Sequence, residues 1–254
     1  MKILDSNEYI GEKLVIKPVT KDMLSDYKNL SVDETTSQFI EENNLIWNPI
    51  TKSYDCGGNV IVSEDMVIDG KLKIKFGKVG GEFLCFNKQL TTLENSPNEV
   101  GGEFDCSNNG LTSLEGAPKK IGGHFDCSFN NLTTLEGAPQ EVSGGFYLYD
   151  NHLTSLEGAP QKVGGDFSCS SNNLTTLEGS PQKVSGDFNC SGNELTTLEG
   201  APKEVGGNFN CSYNELTTLD GAPQKVGGNF VCSDNPNLVL PKRKPSWLKG
   251  KIIS

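Results

Sequence analysis

Apolar residues recur along this chain at a fixed spacing of 21, not in helical or simple alternating runs. Phe83, Phe104, Phe125, Phe146, Phe167, Phe188, Phe209 and Phe230 form one column. Two residues later come Cys85, Cys106, Cys127, Leu148, Cys169, Cys190, Cys211 and Cys232. Further columns run from Leu90 to Leu216, Leu93 to Leu219, Pro97 to Pro223 and Val100 to Val226, with Ile121 standing in once for Val. Asn109, Asn130, Asn151, Asn172, Asn193, Asn214 and Asn235 make a polar column that Lys88 breaks in the first unit. Seven full units fill 79–225, and an eighth begins at Val226.

This pattern predicts stacking. Phe and Cys two apart share one side of a short strand. A coil this small cannot bury its own apolar side, so neighbouring coils must pack on each other. Their strands then form a parallel sheet with a spacing of about 4.8 Å. The Asn amides are expected to bond free backbone groups of adjacent coils. Gly-Gly before each strand fits either a positive φ or a close approach of coils, and Pro bars a helix on the opposite side. That side is expected to be extended or 3₁₀.

The unit, x-Phe-x-Cys-Ser-x-Asn-x-Leu-x-x-Leu-x-Gly-x-Pro-x-x-Val, resembles the leucine-rich repeat, with Phe and Cys in place of two strand leucines. The resemblance covers about two thirds of the chain and implies a mainly β solenoid. That fold is a right-handed superhelix with a parallel sheet on its concave face, few helices and a small mixed N-terminal cap. Units ending in Leu-Glu-Gly-Ala-Pro, followed by Val-Gly-Gly-x-Phe, resemble repeats of phage-encoded proteins most closely. The segment Tyr9-Ile-Gly-Glu-Lys-Leu-Val-Ile is similar to the start of some tailed-phage proteins.

The flanks lose the period. Residues 1–55 read as an N-terminal capping region, with one short helix from Thr20 to Leu30 and another from Thr35 or Thr36 to Glu42. Residues 56–78 read as a degenerate first repeat, with Val60-Ile61-Val62 as its strand. Residues 79–236 hold the repeats proper, and 237–254 a C-terminal cap and basic tail. Trp247, Leu248, Ile252 and Ile253 are expected to cover the last coil.

Composition narrows the function classes. Hydrophobic residues make up 35% and glycines number 29, which suits a turn-rich repetitive chain. A formal net charge of -11 argues against nucleic acid or an anionic membrane as ligand and favours a basic partner. No secretory apolar run follows Met1, and nowhere do enough apolar residues succeed one another to span a bilayer. The expected setting is cytoplasmic, and the sequons at Asn29, Asn131 and Asn173 are read as accidental. The column cysteines are then small buried thiols in a reducing compartment. Cys56, outside the column, is expected at the surface.

Catalytic and metal chemistry finds little support. His124 and His152 lie in different columns without ligands at metal spacing, and His124 is expected as an exposed contact residue. A ladder of cysteines spreads thiols along a line, whereas zinc needs four converging ligands. Gly80-Gly81-Glu82-Phe83 and Gly101-Gly102-Glu103-Phe104 resemble a loop of cyclic-dinucleotide synthases, but the Gly-Gly pair recurs here as repeat punctuation. No phosphate-cradling or nucleophile-elbow motif occurs. The expectation is no enzyme, no cofactor and no metal. Glu94, Glu115, Glu136, Glu157, Glu178, Glu199 and Asp220 form an acidic column read as a solvated edge.

The strongest functional signal lies beside the Phe-x-Cys strand. Residues flanking Phe and Cys, and the two after Cys, are expected to face outward. These four columns hold no Lys or Arg over eight coils. They carry Asp105, Asp126, Asp150, Asp166 and Asp187 together with Phe129, Tyr147, Tyr149 and Tyr213, the expected partner-binding residues. Acids beside exposed aromatics suit a protein-docking patch. The expected function is a non-catalytic module, phage-encoded, that captures or blocks a basic host protein, one of immunity among the candidates. A structural or assembly component of a phage particle and an acidic nucleic-acid mimic stand as alternatives.

Overall fold

The Phe column becomes a ladder. A computed structural model describes residues 32–254 apart from Lys244. In it the strands Phe83–Leu84 through Phe230–Val231 pair in parallel, each phenylalanine opposite the next. Val60–Ile61 extends this first sheet at one end and Ile252–Ile253 at the other, giving ten strands. From Phe146 to Phe230 successive rings lie 5.2 to 5.6 Å apart and are inclined by 4 to 12°. Between Phe125 and Phe146 the inclination rises to 34°, in the unit where Leu148 replaces the smaller Cys.

The Val column makes a second ten-stranded sheet, where the sequence led to the expectation of one. It runs from Ile46–Asn48, antiparallel to Ser53–Cys56, through Phe76–Val79 to Lys225–Val226, the rest parallel. From Glu99–Val100 onward each strand is only two residues, Lys or Glu followed by Val or Ile, too short for an alternating pattern to be read. The fixed period supplies the pairing instead, as when Gly101 N–H donates to Val79 O at 2.8 Å. The chain is thus a mainly β solenoid of stacked 21-residue coils with parallel sheets.

The Asn column holds the coils together from within. Asn130 Oδ1 accepts from Leu111 N at 3.0 Å, while its Nδ2 donates to Cys106 O, Cys127 O and Ser128 O at 3.0 to 3.2 Å. Asn151, Asn172, Asn193, Asn214 and Asn235 repeat this set. A buried amide so fully satisfied offsets its desolvation and fixes register. At the Gly-Gly pairs the close approach operates: a methyl on Gly122 would stand 2.1 Å from Gly101 O. Positive φ belongs instead to the Leu-Glu-Gly corner, as at Gly137 with φ 85°.

The second sheet has a seam. Val142 pairs with Val163, but Glu141 and Lys162 beside them do not. Ser143 and Ser185 occupy the first Gly position of their pairs. The inter-coil bonds there stretch to 3.0 Å at Ser143, 3.3 Å at Gly164 and 3.2 Å at Ser185, against 2.9 Å at Gly122 and Gly206. Lys162 also faces Lys183 across the ladder, breaking the exchange of charge seen at Lys120–Glu141 and Lys183–Glu204.

Both ends of the core are covered. Helix α1 (Glu34–Glu42) is capped by Asp33, whose Oδ1 accepts from Thr36 N at 2.7 Å, so the helix starts before the expected Thr35 or Thr36. It buries Phe39 and Ile40, and the Phe39 ring meets Phe76 edge-on. The expected Thr20 to Leu30 helix lies outside the described residues. At the far end Trp247 meets Phe230 edge-on and Leu248 is buried. Ile252 packs on the core, whereas Ile253, alternating with it, turns to solvent. All eight cysteines are free and buried. Cys56 is among them, contrary to expectation: its thiol donates to Asn43 O at 3.3 Å, beneath the cap. Among the described residues no helix is long and apolar enough to cross a membrane.

Candidate protein-docking face

The outer face of the first sheet is built by the positions between the inward Phe and Cys. In the column before Phe, side chains reach along the solenoid to the next coil. Asp166 Oδ1 accepts from Asp187 N at 2.8 Å, and Asp187 Oδ1 from Asn208 N at 2.7 Å. Asn208 and Asn229 continue the series, and His124 joins it, with Nδ1 accepting from Gly145 N at 2.8 Å. Asp166 and Asp187 are exposed, yet Asp166 commits one oxygen to the scaffold and Asp187 both, its Oδ2 accepting from Asn208 Nδ2 at 3.1 Å.

The column after Phe has the same double character. Asp105 Oδ1 accepts from Ser107 N and Asp126 Oδ1 from Ser128 N, both at 2.9 Å, closing local turns. Asn189 and Asn210 do this further along. Burial pushes the Asp126 carboxyl above its ordinary range, and neighbouring Asp105 adds to the rise against the turn's hydrogen bonds. Glu103 is raised likewise, by burial first and then by Asp105. The third column does not face uniformly outward as expected. Ser128 and Ser212 in it are buried, and Ser128 Oγ has no hydrogen-bond partner among the described residues.

Four aromatic groups converge at the third and fourth units. Gly145 leaves a vacancy in the column before Phe, and the Tyr147 ring folds back into it: a methyl on Gly145 would meet Tyr147 Oη at 2.5 Å. The ring lies 5.8 Å from that of His124. Burial raises the Tyr147 hydroxyl above its ordinary value, with Asp166, Asp126 and Glu103 adding to the shift. Phe129 and Tyr149 meet edge-on at 5.1 Å.

Phe129, Asp150 and Tyr213 all sit in the fourth column, whose backbone is left-handed, with φ of 54°, 53° and 55°. Asn, Asp and Gly suit that conformation, whereas a bulky ring there is strained. Phe129 is 51% and Tyr213 65% exposed, so core packing does not hold either ring in place. The structure brings Asp126, Phe129, Tyr147, Tyr149, Asp150 and Asp166 together on adjacent coils. Asp105 and Asp187 lie one coil beyond them on either side, and Tyr213 stands four coils from Phe129, roughly 19 Å away. The sequence reading named His124 only as a contact residue and missed Gly145 as the vacancy that seats Tyr147. The one gap in a column of Asp, Glu, Asn and His was the available signal.

Among the described residues no three of His, Cys, Asp and Glu converge as a metal site. Compared with known proteins, the chain matches no family model, no curated protein and no solved structure.

Proposed function

We propose that this protein is a non-catalytic binding module that seats a protein with a basic surface on the outer face of its first sheet, centred on Tyr147 and Tyr149. One observation carries this reading: eight coils without Lys or Arg in their outward columns, interrupted by aromatics that the coil does not need and in two places strains to accommodate. The rings serve as anchors, and the free carboxylate oxygens steer the approach and set register. The action is steric occlusion of whatever surface the partner otherwise presents.

The repeat resemblance extends the proposal to a leucine-rich-repeat type of coil and a phage source, with a bacterial host protein, including one of immunity, as target. The acidic columns are interrupted by Ser168, Asn189 and Asn210, which weighs against a nucleic-acid mimic. Affinity capture from bacterial lysate tests the reading with wild type beside Tyr147→Ala/Tyr149→Ala. Wild type should retain a partner that the variant loses, with unchanged circular dichroism. Equal recovery by both would displace the site, and no recovery by either would count against a binding module.

A further inference from the structure

The column before Phe is a chain of acceptors, each side chain taking the amide of the next coil. Asn59 Oδ1 accepts from Glu82 N at 3.0 Å, Asn208 Oδ1 from Asn229 N at 2.8 Å and Asn229 Oδ1 from Lys251 N at 3.0 Å, in line with Asp166 and Asp187. His124 does the same task with a ring nitrogen, Nδ1 accepting from Gly145 N at 2.8 Å. The chemistry differs in one respect. An amide oxygen accepts at any pH, and a carboxylate keeps acceptor capacity even when protonated. An imidazole nitrogen that gains a proton becomes a donor and no longer accepts, a change imidazoles make between about pH 8 and 5.

The amide that His124 holds belongs to the residue on which Tyr147 rests. The Tyr147 ring fills the place where a Gly145 side chain would stand, and the imidazole lies against it at 5.8 Å between ring centroids. Glu103 from the preceding coil and Asp126 from the same coil are near enough to feel a charge on His124, with Asp105 beside both and Asp166 beyond Tyr147. The outward columns of these coils hold no Lys or Arg.

We propose that His124 is a proton-operated latch on Tyr147, closed when the imidazole is neutral and open when it is charged. Protonation sets an Nδ1–H against the Gly145 N–H, so two donors face each other across 2.8 Å. The ring turns toward the carboxylates of Glu103 and Asp126, Gly145 loses its acceptor, and Tyr147 loses the wall of its seat. On the docking reading the latch decides how the face presents its central anchor. The latch itself does not rest on that reading.

Nuclear magnetic resonance of the full chain between about pH 8 and 5 tests this without any partner. In step with the His124 ring protons, the Gly145 amide should shift and lose about fivefold of its protection from solvent exchange. Contacts between the Tyr147 ring and Gly145 should fade together with it. The amides of Asn229 and Lys251, held by asparagines, should keep their protection. His124→Asn supplies the acceptor found at Asn208 and Asn229 and should keep the bonded Gly145 amide throughout. Gly145→Ala, whose methyl would take the Tyr147 seat, should show the released ring already at pH 8. A Gly145 amide indifferent to the His124 titration would overturn the proposal, as would Tyr147 signals that stay in place while the amide moves. A pH response that persists in His124→Asn would overturn it too and assign the response to Glu103 and Asp126.

Discussion

At the scale of single residues, two side chains show opposite relations between fold and function. Asn172 is inward, and its amide serves Leu153 N, Leu148 O, Cys169 O and Ser170 O in two coils at once. Asn172→Ala leaves these groups buried without partners, at about 1–3 kcal/mol for each group left unsatisfied. Urea unfolding should therefore show a loss of at least about 2 kcal/mol. Tyr213 is outward, meets no other ring among the described residues and holds its backbone at φ 55°. Tyr213→Asn should raise stability by about 1 kcal/mol, since Asn accepts that conformation, while any partner that uses this ring is bound less well. A Tyr213→Asn protein less stable than wild type would show that the ring supports the coil.

At the scale of elements, the seam in the second sheet lies in the coil that carries Tyr147 and Tyr149 on the first. Leu148 tilts the phenylalanine stack there, Glu141 and Lys162 fail to pair, and the inter-coil bonds at Gly164 and Ser185 are long. Longer bonds open more readily. The amides of Gly164 and Ser185 should exchange with solvent deuterium faster than those of Gly122 and Gly206, and Ser143→Gly/Ser185→Gly should remove the difference. Uniform rates along the ladder would deny the seam. The element scale also divides what the sequence discloses from what it conceals. The Phe, Cys and Asn columns are legible because each position is dictated by one buried environment repeated in every coil. The second sheet was not, because two residues cannot display a period and its pairing depends on the neighbouring coil. For the docking face, the columns identify its residues, but the reach of Asp166 and Asp187 to the next coil's amides needs coordinates. So does the fold of Tyr147 over Gly145.

At the scale of the whole molecule, a stack of near-identical coils separates two demands on the surface. The outer face of the first sheet carries the aromatic and acidic residues proposed to meet a foreign protein, and the ends carry the Phe39 and Trp247 rings that cover the core. The Phe and Val columns continue beneath the aromatic face, and the core answers to it only where Leu148 replaces Cys. The stack also makes distance a matter of counting. Each coil touches only its neighbours, so deleting or duplicating one unit shifts everything beyond it by a single rung of about 4.8 Å and repairs its own junction. Four such rungs set the interval between Phe129 and Tyr213. Lineages carrying this gene could therefore retune the gauge of the grip by slippage between tandem units, without inventing any new side chain.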